Sequence, residues 1–306
     1  MRNKLLILIV FILPVIANSS CHKVENPPSA NTSDLFDACI PYPGTDATLD
    51  IVTFNVETMP LDLKTGKDNY TRVIMIASLL NSINADVYGL QEVATESGFN
   101  QLLDLMPGYT GKFYPIYNSD WNLAYIFRKK DITVDETATK LLFPNSEYFL
   151  RPPFEIKIHH KETNLDVYII DNHFKASGGD ANETNRRTAS AMLKDYLDTS
   201  HPTGAVVMLG DYNDEIASTS YSTNPYLNFV NDPDNYEFAD MGIAKGSQLW
   251  WSYPSYPSHI DHILITNELF SNLDTTIVYK ASPCYPDYGT VISDHRPVGI
   301  RLSASK

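Results

Sequence analysis

Short apolar runs separated by polar turns dominate the chain from residue 49 onward. Leu49-Asp50-Ile51-Val52-Thr53-Phe54-Asn55-Val56 alternates well enough for a strand. In residues 70–84, Val73, Ile76, Ala77, Leu80 and Ile83 share one helical face. Asp86 to Val93 reads as a buried strand ending in Gln91-Glu92, and Asn122 to Arg128 as another, with Trp121 just ahead of it. Phe154 to His160 and Leu165 to His173 are neighbouring strands joined by the polar turn Lys161-Glu162-Thr163-Asn164. Residues 183–199 are helical, with Ala189, Met192, Leu193, Tyr196 and Leu197 as the apolar stripe and Arg186, Arg187, Lys194 and Asp195 outside. Ala205 to Leu209 has the length and composition of a fully buried strand. The stretch 212–258 is irregular and rich in Asn, Ser, Pro and Tyr, after which Ile260–Thr266 and Pro297–Leu302 supply the last strands. Strands interleaved with a few helices, without a repeat, predict one domain with mixed sheets and helices outside them.

The two ends add to this picture. Arg2 and Lys4 precede the apolar run Leu5–Leu13, then small residues and Cys21. That is a secretory signal over residues 1–20, too short and too abruptly ended for a membrane span. Ala17-Asn18-Ser19-Ser20-Cys21 resembles a bacterial lipoprotein box, with Asn18 departing from the apolar residue usual there. The expectation is an exported chain, lipidated at Cys21 and held to a cell-envelope membrane, with residues 21–48 as a Pro- and Asn-rich tether. Cys39 and Cys284 then remain, either paired or reduced and far apart. The net charge of -14 argues against a basic nucleic-acid wrap, but not against chemistry on phosphates through bound cations.

Candidate chemistry gathers where the strands end. After Leu209, Gly210 allows a turn or a close backbone approach, and Asp211-Tyr212-Asn213-Asp214 follow. Asn55, Glu92, His173, Asp261, Asp294 and His295 also sit at or just after strand ends, or lead into them. In order, Thr53-Phe54-Asn55-Val56, Leu90-Gln91-Glu92-Val93, Asp171-Asn172-His173-Phe174-Lys175, Gly210-Asp211-Tyr212-Asn213-Asp214, Ser258-His259-Ile260-Asp261-His262-Ile263-Leu264 and Ser293-Asp294-His295-Arg296-Pro297-Val298 resemble the motifs of the endonuclease/exonuclease/phosphatase (DNase I-like) superfamily. The resemblance covers residues 49–303. It implies an α+β fold, a four-layer α/β/β/α sandwich of two mixed sheets.

It also implies phosphoester hydrolysis dependent on Mg²⁺, with Mn²⁺ as a substitute. Hard cations take carboxylate and amide oxygens, which suits Glu92 as a direct ligand, with Asn55 and Asp294 completing the shell. By the same resemblance Asp211 orients or deprotonates the attacking water, and Asn213 donates to a phosphate oxygen. His295 faces the phosphate, with Asp261 holding its imidazole charged and oriented. His173 corresponds to a second catalytic histidine near the leaving group; no acid partner for it is evident, Glu96 being only the nearest candidate. Arg151 resembles an arginine that clamps the substrate phosphate bidentately. His159 and His160 lie mid-strand without a motif and read as structural, and Arg186-Arg187 as a solvated helix face. Trp250-Trp251-Ser252-Tyr253 and Tyr256 are either core or a surface lining the cleft.

The expected enzyme is a nuclease or phosphodiesterase working outside the cytoplasm as a monomer, with a phosphoester substrate, DNA and RNA among the candidates, and no protein partner. The rivals are a sphingomyelinase-type phosphodiesterase or small-molecule phosphatase, and a non-catalytic surface-binding lipoprotein that keeps the fold.

Overall fold

The computed structural model describes residues 35–116, 119–218 and 224–304, all within one compact unit. The expected signal peptide, Cys21 and the first part of the expected tether lie outside these residues.

Twelve strands build two sheets. In chain order they are β1 (Leu49–Met59), β2 (Val87–Val93), β3 (Tyr109–Tyr114), β4 (Asn122–Arg128), β5 (Ile132–Leu141), β6 (Phe154–His160), β7 (Leu165–His173), β8 (Val206–Asp211), β9 (Tyr236–Phe238), β10 (Asp261–Thr266), β11 (Leu273–Val278) and β12 (Val298–Leu302). The first sheet has the order β11-β12-β1-β2-β4-β3 and the second β5-β6-β7-β8-β10-β9. Both are mixed: β1 and β2 are parallel, as are β7 and β8, and the remaining pairs are antiparallel.

Strand parity sorts the side chains into layers. On β1, Leu49 and Ile51 point between the sheets, while Val52, Phe54 and Val56 pack under the helix α1 (Tyr70–Ile83). On β8, Val207 and Leu209 point between the sheets, while Val206 and Met208 meet Ala189, Leu193 and Leu197 of the helix α3 (Asp180–Ser200). A third helix, α2 (Glu96–Asp104), adds Phe99 and Leu102 to the outer layer beside α1. The result is a four-layer α/β/β/α sandwich. Central strands are buried on both faces, which is why they appear in the sequence as almost unbroken apolar runs. The helix ends follow local chemistry: the Asn69 side chain caps α1 by accepting from the Arg72 N–H, and Asn84 ends it in the left-handed conformation at φ 58°.

The tether does not extend to residue 48. Phe36 is fully buried, Ile40 nearly so, and Cys39 is disulfide-bonded to Cys284 across a separation of 245 residues. Two buried apolar side chains and a covalent link hold this segment against the domain. Arg186 is a second correction, being only 2% exposed. It donates to the Asp214 carboxylate and to the carbonyls of Lys175 and Ser177, so its charge is paired at the helix–loop junction.

Candidate active site

The inner-face parity of the central strands carries on past their apolar portions. On β1, Leu49 and Ile51 lead to Asn55; on β7, Val167 and Ile169 lead to His173; on β8, Val207 and Leu209 lead to Asp211. Strands β10 and β12 run the other way, so Asp261 and His295 approach the same edge from their N-terminal ends, with Asp261 directly opposite Asp211. The space between the sheets therefore changes from apolar to polar at one edge of the sandwich.

Glu92 does not follow this parity. The register between β2 and β4 breaks between Leu90 and Val93, and Glu92 adopts a positive φ of 59°. This turns its carboxylate toward Asn55, whose Nδ2 donates to Glu92 Oε1 at 3.1 Å and to Asp211 Oδ2 at 3.0 Å. Asn55 thereby bridges the two sheets. Its amide oxygen accepts the Glu57 N–H at 2.9 Å, so its hydrogen bonds within the chain make it a donor to carboxylates before any ligand arrives.

Gly210 fulfils its sequence reading. Its φ is +141°, and a Cβ there would lie 1.9 Å from the Asn172 carbonyl oxygen. Asn213 is left-handed at φ 54°; its N–H donates to Asp211 Oδ1 at 2.9 Å and its Nδ2 to the Phe174 carbonyl at 3.2 Å. The turn is thus locked onto the carboxylate that precedes it.

Asp261 Oδ2 lies 2.8 Å from His295 Nδ1, and His295 Nε2 faces Asp294 Oδ1 at 3.8 Å and Asp211 Oδ2 at 3.9 Å. Burial opposes a charge on this ring, but Asp261 and Asp211 overcome it and raise His295 to about 10. His173 has the opposite balance. Burial, then Arg151 and His295, hold it well below the ordinary histidine value, so it is neutral. Its Nε2 lies 3.5 Å from Asp211 and 3.7 Å from Glu92, and its buried Nδ1 has no hydrogen-bond partner. Glu96 is exposed on the first turn of α2, and no hydrogen bond joins it to His173, so it is not the acid partner.

Arg151 reaches the site but is not a free clamp. Its Nε donates to the His173 carbonyl at 2.9 Å and its Nη2 to the Phe174 carbonyl, and the side chain is 4% exposed beneath the Trp121 ring. Two of its donors hold the end of β7. The aromatic stretch divides as well. Tyr253 packs its ring 4.9 Å from that of His295, Trp251 donates to the Ile243 carbonyl, and Trp250 and Tyr256 are exposed. His159 and His160 are structural, hydrogen-bonded to Asp166 and Thr163.

Glu57 belongs to the site although no motif reading included it. Its Oε2 accepts the Asp294 N–H at 2.9 Å. Burial, then repulsion from Asp294, raises it to about 7. Its signal was available as Asn55-Val56-Glu57, a carboxylate two residues beyond Asn55. Asp211 is likewise raised to about 7, first by burial, with His295 working against the rise and Asp261 adding to it. Burial also raises Glu92, with the Asn55 hydrogen bond opposing. Ligand atoms of Glu92, His173 and Asp211 all lie within 4.8 Å of one another. Carboxylates crowded until they resist ionising, with oxygen as the dominant donor, fit a hard divalent cation.

Beneath this cluster, Arg72 of α1 is 1% exposed and donates to the carbonyls of Leu61, Val56, Glu57, Val291 and Ile292. It joins the segment bearing Glu57 to the one bearing Asp294. Arg72→Met leaves these buried acceptors unmatched and is expected to cost about 3 kcal/mol or more in urea unfolding. A loss below about 1 kcal/mol would show that the carbonyls find other partners.

The sequence matches the profile of the Endonuclease/Exonuclease/phosphatase family over residues 52–295. The chain belongs to that family. The family includes nucleases, phosphodiesterases and phosphatases and generally uses divalent metals. No curated protein sequence matches significantly. Among solved structures, D. rerio TDP2 complexed with single-strand DNA product is similar at a TM-score of 0.66 and 15% identity, covering 84% of this chain and all of that one. The human Nocturnin catalytic domain with bound sulfate gives 0.60 and 17%, covering 84% of this chain and 94% of the other. An endonuclease/exonuclease/phosphatase family protein from Bacteroides thetaiotaomicron gives 0.62 and 15%, covering 87% of this chain and all of the other. At these identities the likeness is one of fold, and the DNase I-like sandwich is that fold.

Proposed function

We propose that this family member is an exported, Mg²⁺-dependent phosphodiesterase or nuclease, with Mn²⁺ able to replace Mg²⁺. The observation that carries the reading is the Asp261–His295 pair, a protonated imidazole facing a cluster of crowded carboxylates. Glu92 and Asp294 would hold the cation, with Glu57 beside them and Asn55 supporting. When bound, the cation supplies charge neutralisation and orientation of the phosphoryl group.

The chain's own residues do the rest. Asp211, raised toward neutrality, accepts a proton from the attacking water and sits 3.9 Å from the nitrogen that stabilises the developing phosphoryl charge. Asp261 fixes the orientation of that imidazole. Neutral His173 lies beside Asp211, its Nε2 3.5 Å from the carboxylate, and the family resemblance would give it the leaving group.

The cation should also stabilise the fold in a pH-dependent way. Glu57 and Asp211 titrate higher when folded than when unfolded, so the stability they contribute is present at low pH and lost as pH rises through about 7. A divalent cation offsets that loss. Mg²⁺ is therefore expected to raise Tm more at about pH 8 than at about pH 5 in a thermal melt. An equal increment at both would separate cation binding from these carboxylates.

Export and anchoring at Cys21 are part of the proposal, supported by the Cys39–Cys284 disulfide, which suits an oxidising compartment. The enzyme is proposed to act as a monomer. A second reading, a lipid-headgroup phosphodiesterase of the sphingomyelinase type, is favoured by Leu249 and Trp250, 68% and 52% exposed on a single turn. The test is a panel of plasmid DNA, RNA, bis-p-nitrophenyl phosphate, p-nitrophenyl phosphate and sphingomyelin. Cleavage of nucleic acid or the diester supports the first reading, turnover of sphingomyelin alone the second, and silence on all five contradicts both.

A further inference from the structure

Behind the catalytic carboxylates lies a second polar cluster, Asp240, His259 and His262, each at most 1% exposed. Asp240 Oδ2 is 2.6 Å from His262 Nδ1 and 3.0 Å from His259 Nε2, and Asp240 Oδ1 accepts the Ile263 N–H at 2.9 Å. The three ligand atoms are close enough to resemble a cation site. The proton positions decide against it. The Ser252 N–H lies 3.2 Å from His259 Nδ1, so that nitrogen presents its lone pair and the neutral ring carries its proton on Nε2. A protonated Nε2 cannot ligate a metal; it faces Asp240, off the line of a strong hydrogen bond.

His262 is constrained at both nitrogens. Its Nε2 lies 3.0 Å from the Asp214 carbonyl oxygen, which can only accept, so this nitrogen bears a proton. Its Nδ1 faces Asp240 Oδ2 at 2.6 Å, and the other carboxylate oxygen accepts the Ile263 N–H. With Nε2 committed as a donor and a carboxylate against Nδ1, the arrangement is that of an imidazolium and an aspartate sealed in the interior. Burial opposes both charges, but His262 holds Asp240 below the ordinary carboxylate range and Asp240 holds His262 above the ordinary histidine value.

We propose that the Asp240–His262 ion pair is a positioning device that fixes the general base Asp211 relative to the Asp261–His295 pair. Its connections run to both sides of the site. Asp214, three residues beyond Asp211, has its carbonyl held by His262 and its carboxylate held by Arg186, which also grips the loop just after His173. On the other side, Asp240 takes the N–H of Ile263, two residues past Asp261, and His259 takes that of Ser252. The Ser252 hydroxyl accepts the Asp261 N–H at 3.1 Å, and its carbonyl accepts the Arg296 N–H at 2.7 Å, next to His295. An ion pair at the centre of such a network gives it one hydrogen-bonding arrangement, since His259 cannot exchange tautomers, nor His262 lose a proton, without leaving a buried donor or acceptor unmatched.

The kinetic arm of the test rests on the hydrolase reading above, and the spectroscopic arm does not. In the uniformly ¹⁵N-labelled whole chain, both ring nitrogens of His262 are expected to give protonated-imidazolium signals at a pH where an ordinary histidine, titrating at about 6.5, is already neutral. A neutral His262 ring there would overturn the proposal without any variant having to fold. In Asp240→Asn, kcat is expected to fall by about 10- to 100-fold while KM and the Mg²⁺ activation midpoint stay near wild type. In the same variant the His295 Nδ1 proton resonance should move, and in Lys130→Ala, which removes an exposed ion pair with Asp46, it should not. Wild-type kcat in Asp240→Asn, or an unmoved His295 resonance, would contradict the positioning role.

Discussion

Asp211→Asn is expected to lower kcat by about 10²- to 10⁴-fold, the range for loss of a general base, with the circular dichroism spectrum unchanged. The substitution is nearly isosteric and removes a charge that burial already disfavours; it loses one of the two N–H donors, from Asn55 and Asn213, that the carboxylate oxygens accept, at a cost of about 1–3 kcal/mol that leaves the fold in place. His295→Ala should give a loss of the same order by removing the donor aimed into the cleft. The pH dependence separates the two. Asp211 must be ionised, so wild-type activity rises as pH passes its value, about 7 in the free protein and lower with a cation bound. His295 must be protonated, so activity falls as pH rises through about 10. The acid limb should disappear from the residual activity of Asp211→Asn, and the alkaline limb from that of His295→Ala. Full activity in either variant would remove that residue from the mechanism.

Glu92→Gln should act on the cation. Gln keeps the shape and the contact with Asn55 but loses the charge. The Mg²⁺ concentration for half-maximal activity is expected to rise by at least about tenfold, while the acid limb set by Asp211 is retained. An unchanged metal titration would mean that Asp294 and Glu57 suffice, and the proposed ligand set would have to be redrawn around them.

Much of this was legible in the chain. The central strands and the helices α1 and α3 emerge from apolar runs and spacing, and strand parity alone carries Asn55, His173, Asp211 and Asp261 to the inner face. Glu92 was found by motif and not by parity, because a break in register and a positive φ turn it inward. What the pattern misses is edge and context. β5 is mostly exposed and polar and β11 is rich in Thr, so neither shows an apolar run; α2 buries little beyond Phe99 and Leu102. Arg186 stands three residues before Ala189 and seven before Leu193, in phase with the buried stripe; its charge suggested solvent, but Asp214 and two carbonyls supply partners inside. Arg72 was invisible for the same reason, since its carbonyl acceptors come from segments more than 200 residues apart. Arg151 was placed correctly near the site, but its engagement with the β7 carbonyls depends on a crossing that no local pattern encodes.

The most direct measurement is hydrolysis of bis-p-nitrophenyl phosphate by the purified chain, before and after EDTA, with Mg²⁺ then restored. Turnover is expected to stop on chelation and to return with Mg²⁺. Turnover that survives chelation would contradict the role assigned to Glu92, Asp294 and Glu57, and an inactive chain with Mg²⁺ present would contradict the hydrolase reading itself.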